Sequence, residues 1–249
     1  GPGCSYFRVV DYKTGRKDFD YCDVLNGIGL QMLLYLFALE EQGHALLGNN
    51  AHSAGVQYFS ARAPLISVNG SLTPEEAAKE RESAWKRKGL ILSDEDVVHA
   101  MDHTDGFSRL CCRENKNGEI TGDIADRDRF KMLKQYVFAF VGKLVDEVAS
   151  GVVDPNPYTR GSGRNACSYC PYKPICHYTT VTGRRNYKTM TSQRFWDEIG
   201  KEACDHGGYR CGKPPLSYSR GGGSGGPESV RQRYFRQNQD SRNLPAEGF

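Results

Sequence analysis

No stretch of this chain is apolar for long enough to cross a bilayer. The longest run, residues 30–39, is broken at Gln31 and falls well short of the roughly 20 residues a membrane helix needs. A signal peptide is missing too, so the expectation is a cytoplasmic protein without membrane association. There is no GxxxxGK[ST] loop, which excludes ATP binding by that device. His99 and His103 stand four apart around Asp102, but no glutamate follows His99 as HExxH requires, so a surface helix is expected there. Internal repeats are absent. Net charge is only +3, and the basic excess is C-terminal: residues 184–249 hold 12 Lys/Arg against 7 Asp/Glu. So small an excess suits a solvated tail as well as a phosphate-binding end. Nine cysteines, an odd count in irregular spacing, fit a cytosolic chain carrying a thiolate-ligated centre better than a secreted disulfide framework.

What is present is enough for a folded core: 249 residues, 38% of them hydrophobic, bound the chain to one or two domains. Residues 6–12 read as a buried strand and 14–18 as a turn. Residues 23–40 read as a helix with Leu25, Ile28, Met32, Leu36 and Leu39 at helical spacing. A second strand is expected over 56–61, stopped near Pro64. Thr73, Pro74 and Glu76 supply an N-cap, a first-turn proline and a capping-box acid for a charged helix ending near Gly89. Ser93 and Asp96 start a shorter helix with Val97, Val98 and Met101 inward, and Asn117-Gly118 marks a turn. The clearest helix covers 126–150, with Phe130, Leu133, Val137, Phe140, Val141, Leu144 and Val148 on one face and Gly151 as its stop. Phe195, Trp196 and Ile199 suggest a last helix. Residues 207–249, including a Gly-rich linker at 221–227, read as a disordered tail.

Two groups of residues carry chemistry. Asp11 closes an apolar strand, and Lys13, two positions on, falls on the same face because strand side chains alternate. A strand-end carboxylate can hold Mg2+ or Mn2+, the Tyr12 carbonyl can add an oxygen ligand, and Lys13 can orient the attacking water and offset transition-state charge. Gln31 and Tyr35, four apart on the following helix, share one helical face that returns beside the strand end. Alone, each pair is more readily read as ordinary surface decoration. Cys167, Cys170 and Cys176 lie in a loop with Pro171 and Pro174, where thiolates can converge on zinc or an iron–sulfur cluster. Spacing does not choose between those metals. A fourth ligand could come from Cys4, Cys22, Cys111, Cys112, Cys204, His177 or sequence outside this chain.

Phe7-Arg-Val-Val-Asp-Tyr-Lys-Thr-Gly15 followed by Leu30-Gln-Met-Leu-Leu-Tyr-Leu36 resembles the RecB-like nuclease domain of the PD-(D/E)xK superfamily. More narrowly, three further stretches make the chain similar to the C-terminal nuclease domain of the B subunit of the bacterial AddAB helicase-nuclease. These are Ala54-Gly-Val-Gln-Tyr-Phe59, Gly151-Val-Val-Asp-Pro-Asn-Pro157 and Ala166-Cys-Ser-Tyr-Cys-Pro-Tyr-Lys-Pro-Ile-Cys176. The resemblance covers about residues 5 to 200. It implies an α/β fold: a partial restriction-endonuclease-like core with helical insertions and a cysteine-rich loop at 166–178, within a nuclease domain over 1–206. By the same resemblance, Asp11 is the second metal-ligating acid, Lys13 the catalytic lysine, and Gln31 and Tyr35 the helix pair that holds the site and DNA. Cys167, Cys170 and Cys176 are three ligands of a [4Fe–4S] cluster. The first metal-binding acid and the fourth cysteine are expected upstream, so the chain reads as a fragment truncated on its N-terminal side. The implied activity is exonucleolytic hydrolysis of unwound DNA in double-strand break repair by homologous recombination, beside a motor-bearing A subunit in the bacterial nucleoid.

Two other readings fit some of these residues. A CRISPR-associated RecB-like exonuclease also joins this core to a cysteine cluster, but there the cluster follows the tyrosine helix more closely than the 132 positions separating Tyr35 from Cys167. A non-catalytic DNA-end-binding module would use the cysteines for zinc and Asp11 structurally.

Overall fold

Val9 and Val10, with Phe7 before them, favour extended backbone, and β1 (Ser5–Lys13) forms there. The computed structural model describes residues 4–15, 17–62, 66, 70–153, 155–160, 164–176 and 185–205. The expected stop at Pro64 and the expected tail at 207–249 lie outside those residues. After β1 come α1 (Tyr21–Leu25), α2 (Gln31–Gln42), α3 (His44–Leu47), β2 (Ala51–Ser60), α4 (Pro74–Ala84), β3 (Lys88–Leu92) and α5 (Glu95–Met101). A hairpin of β4 (Cys112–Glu114) and β5 (Ile120–Gly122) leads to β6 (Ile124–Ala125) and the long α6 (Arg127–Ala149). The chain closes with β7 (Tyr158–Arg160), β8 (Arg164–Asn165), α7 (Lys173–Cys176), β9 (Arg185–Asn186) and α8 (Ser192–Asp205).

The main sheet is mixed and runs β1-β2-β3-β6, so β1 is an edge strand. β1 and β2 pair in parallel through the α2 crossover, β2 and β3 pair antiparallel, and β3 and β6 pair in parallel. An α/β core is therefore present, as expected. One face of the sheet carries Val56, Tyr58, Leu90 and Leu92 and buries them against Leu33, Leu36 and Phe37 of α2, Leu133 and Val137 of α6, and Phe195 and Ile199 of α8. The other face is covered in part by Val98, Phe107, Leu110, Cys111 and Cys112 around Ile91.

Several expectations needed correction. The helix expected over 23–40 is two helices, because Gly27 and Gly29 take φ of 77° and 70° between α1 and α2. A Cβ at Gly27 would meet the Phe140 ring, so the break is packed in place. The charged helix ends at Ala84 and not near Gly89. Gly89 lies in β3 with φ of 151°, where a Cβ would stand 2.0 Å from the Val56 carbonyl oxygen. α5 is capped by Asp94, whose carboxylate accepts from the Val97 N–H at 3.4 Å, and not by Ser93. The last turns of α6 do not join the core: Leu144 and Val148 are 43% and 78% exposed, because no described element covers that end. The Thr73–Glu76 capping box, the Asn117–Gly118 turn and the buried Phe195–Trp196–Ile199 face form as read.

Glu40 of α2 ties three elements together: it accepts from the Ser53 N–H and hydroxyl of β2 at 3.0 and 2.9 Å and from Lys134 of α6 at 2.9 Å. Burial alone would raise its pKa, but those donors outweigh burial and hold it below its ordinary value near 4.5. A depressed carboxylate contributes stability above its unfolded pKa and loses it as pH falls through the folded value. Thermal melts of the chain should therefore show a stability drop below about pH 4.5 that is smaller in Glu40→Gln, and equal pH profiles would remove this role.

Candidate active site

The alternation of β1 places Asp11 and Lys13 on the sheet face that α2 covers, in register with Tyr58 and Ser60 of β2. Lys13 Nζ meets Asp11 Oδ2 at 2.6 Å, and both side chains are partly open to solvent, at 39% and 26%. Tyr58 confirms the shared face: burial, and then the Asp11 charge, push its hydroxyl pKa up. The Lys13 carbonyl accepts from the Ala61 N–H at 2.8 Å. Backbone groups of successive strand residues point to opposite sides, so the Tyr12 carbonyl faces the open edge of β1. Its side chain is 70% exposed on the far face of the sheet.

On α2, Met32, Leu33, Leu36 and Phe37 are buried, which leaves Gln31 and Tyr35 on the solvent side. Gln31 Nε2 donates to the Tyr35 hydroxyl at 2.8 Å, so the two side chains act as one exposed polar unit at the start of the helix. The strand pair and the helix pair are thus each formed, and α2 packs on the face of β1 and β2 that carries Asp11.

Among the described residues, no three His, Cys, Asp or Glu side chains converge as a group able to hold a metal ion. Asp11 and the Tyr12 carbonyl are hard oxygen donors of the kind a divalent cation takes, and among the described residues they are only part of a full set. Cys167, Cys170 and Cys176 are free thiols, the first two half-buried and the third exposed, with Cys176 ending the one-turn α7. They are chemically suited to a thiolate-bound centre and one ligand short of a four-cysteine site. Cys22, Cys111 and Cys112 are buried and belong to no group among the described residues able to hold a metal ion. Burial pushes all three thiols up, Cys112 to about 11. The Cys22 thiol is also spent on the Lys188 carbonyl at 2.9 Å. His177 and the Cys204 side chain lie outside the described residues. His99 fits the surface reading, with its ring edge-on to Phe107 at 4.9 Å.

The cysteine loop is moored by residues that sequence reasoning missed. β7 lies between β8 and β9, and Arg160 at its end bonds Asp20 and Asp23 of the α1 cap region. Tyr158 of β7 and Tyr187, the residue after β9, stack at 5.7 Å. Burial would raise the Asp20 pKa, but Arg160 and the Asp23 and Cys22 amides hold it low. The legible signal was Asp20 itself, an N-cap acid two residues before Cys22.

The family model of the PD-(D/E)XK nuclease superfamily matches residues 2–177. Three curated relatives are each named as the B subunit of an ATP-dependent helicase/deoxyribonuclease. That of Acetivibrio thermocellus is 34% identical over 205 residues, covering 80% of this chain and 18% of the relative. That of Oceanobacillus iheyensis is 35% identical over 188 residues, covering 74% and 16%. That of Moorella thermoacetica is 37% identical over 192 residues, covering 76% and 17%. The chain therefore spans less than a fifth of the length of these relatives.

Proposed function

The chain belongs to the PD-(D/E)XK nuclease superfamily, and on that premise we propose that it is the nuclease part of a helicase-nuclease B subunit, cutting unwound DNA by metal-dependent phosphodiester hydrolysis. The Asp11–Lys13 pair on an open sheet edge carries this reading. Asp11 and the Tyr12 carbonyl would hold Mg2+ or Mn2+, which when bound polarises the scissile phosphate and lowers the pKa of a bound water. Lys13 orients the attacking water and offsets charge building on the phosphate oxygens, and the Gln31–Tyr35 unit contacts the DNA backbone from α2. The first acidic ligand is supplied by a further strand that pairs along the free edge of β1, since an unpaired strand edge is a template for such an addition. In the whole protein the cut strand comes from double-strand ends processed for recombinational repair, unwound with a motor-bearing A subunit in the cytoplasm. A chain extended upstream of β1 by that strand is expected to degrade single-stranded DNA with Mg2+ and to stop with EDTA. Cleavage that persists in EDTA would overturn the reading.

Cys167, Cys170 and Cys176 are proposed as three ligands of a [4Fe–4S] cluster completed by a cysteine outside this chain, which pins the loop carried by β8 and α7. Anaerobic purification of the extended chain should give stoichiometric iron and acid-labile sulfide. Zinc without iron would show a zinc knuckle instead.

A further inference from the structure

The sheet face opposite Asp11 carries a second polar group that hydrolysis does not use. There Arg8 of β1 lies across from Gly55, Tyr12 across from Phe59, and Gln57 between them on β2 beside Gly89. Gln57 is 0% exposed, yet among the described residues it has only half its bonds: Arg8 Nη1 donates to its Oε1 at 2.9 Å, while its Nε2 has no partner there. Arg87, which enters β3, lies over the Phe59 ring at 4.4 Å, and its buried Nη1 is also unpartnered. Burial, then the nearby charge of Arg8, pulls Arg87 below its ordinary pKa. The Asp102 charge attracts Arg87, but among the described residues the hydrogen bonds of this carboxylate go elsewhere: it accepts from the Thr104 N–H and hydroxyl and from the Arg109 N–H at 2.8 to 3.0 Å. Donors thus exceed acceptors in a place where an unmet buried donor is costly. What the two donors lack among the described residues is an acceptor. Beside them the Tyr12 ring, tilted against Phe59 at 5.5 Å, is 70% exposed.

We propose that this far face of the sheet is a second contact site for single-stranded nucleic acid, with a backbone phosphate between Arg8 and Arg87 over Gln57 and a base stacked on Tyr12. Alternating guanidinium and aromatic groups are how proteins hold single strands without reading sequence. The site rests on the nuclease reading and deepens it. Tyr12 sits between Asp11 and Lys13 in sequence but on the other face, so a strand engaged at the cleavage site continues around the end of β1 onto this surface.

The test is fluorescence anisotropy with the full chain in EDTA, where no cleavage occurs, using a labelled thymidine oligonucleotide of about a dozen nucleotides and its abasic counterpart. Tyr12→Ala should weaken thymidine binding about tenfold and leave the abasic strand unchanged, because only stacking is lost. Arg87→Gln should weaken both and lower the slope of log K against log salt by about 0.7, one phosphate contact on a single strand. Tyr12 is exposed, so its variant reports binding without risk to the fold. Wild-type affinity in both variants overturns the proposal. So does an acidic peptide whose binding is lost in Arg87→Gln while oligonucleotide binding is not, which would make the face a protein-docking site. Variant-dependent binding together with no cleavage by any extended chain would sink the nuclease reading and leave this site standing.

Discussion

Lys13→Met, in the chain extended by its upstream strand, is expected to slow Mg2+-dependent cleavage of single-stranded DNA by roughly 10²- to 10³-fold. The ammonium is 2.6 Å from Asp11 Oδ2 and half-open to solvent, so its removal costs the fold little and the chemistry much. Metal affinity separates its role from that of Asp11. Mn2+ binding, followed by titration calorimetry, should be no weaker in Lys13→Met, because no metal ligand is lost and a competing cation is removed. Loss of Mn2+ binding in Lys13→Met would mean that the lysine organises the site and does not act on the reacting phosphate.

The second large effect concerns the fold. Phe195→Ala should destabilise the chain by about 3–5 kcal/mol, measured by denaturant unfolding, since it empties a fully buried aromatic site. Phe195 packs against Tyr21 of α1 at 5.2 Å and Trp196 at 5.0 Å, so it joins the last described helix to the segment just after the Asp11 strand. Gly27, Tyr136 and Phe140 sit on the same seam, where the Tyr136 hydroxyl donates to the Leu25 carbonyl at 2.6 Å. A loss below about 1 kcal/mol would mean that α8 is an appendage to the core and not part of it.

These two predictions divide as the sequence did. The Asp11–Lys13 and Gln31–Tyr35 contacts were legible as shared faces because each pair follows a local spacing, two for a strand and four for a helix, and local spacings survive folding. Strong caps were legible for the same reason, as at Thr73 and Glu76. The split of α1 from α2 was not, because Gly27 and Gly29 fit a helical hydrophobic pattern until their backbone angles are known. The charged helix read as far as Gly89 takes in Lys88 and Gly89, because Lys88-Gly89-Leu90-Ile91-Leu92 becomes a strand only through β2 beside it, a long-range pairing. Leu144 and Val148 carry the helical period of a buried face, but burial depends on what lies opposite, which periodicity does not state. The Arg160 link to Asp20 and Asp23 spans 140 and 137 positions, far beyond any sequence window. Cys167, Cys170 and Cys176 were legible as a thiol-bearing loop, while the burial of Cys22, Cys111 and Cys112 depends on packing that spacing does not state.

The central claim is that Asp11 on the edge strand is a metal-holding acid of a nuclease site. The most direct measurement is the Mg2+-dependent rate of single-stranded DNA cleavage by the strand-extended chain, wild type against Asp11→Asn, a substitution that keeps the shape and removes the charge. A loss of at least about a hundredfold is predicted, together with loss of Mn2+ binding. Equal rates in the two proteins would contradict the account, since the cutting would then be done by some other site.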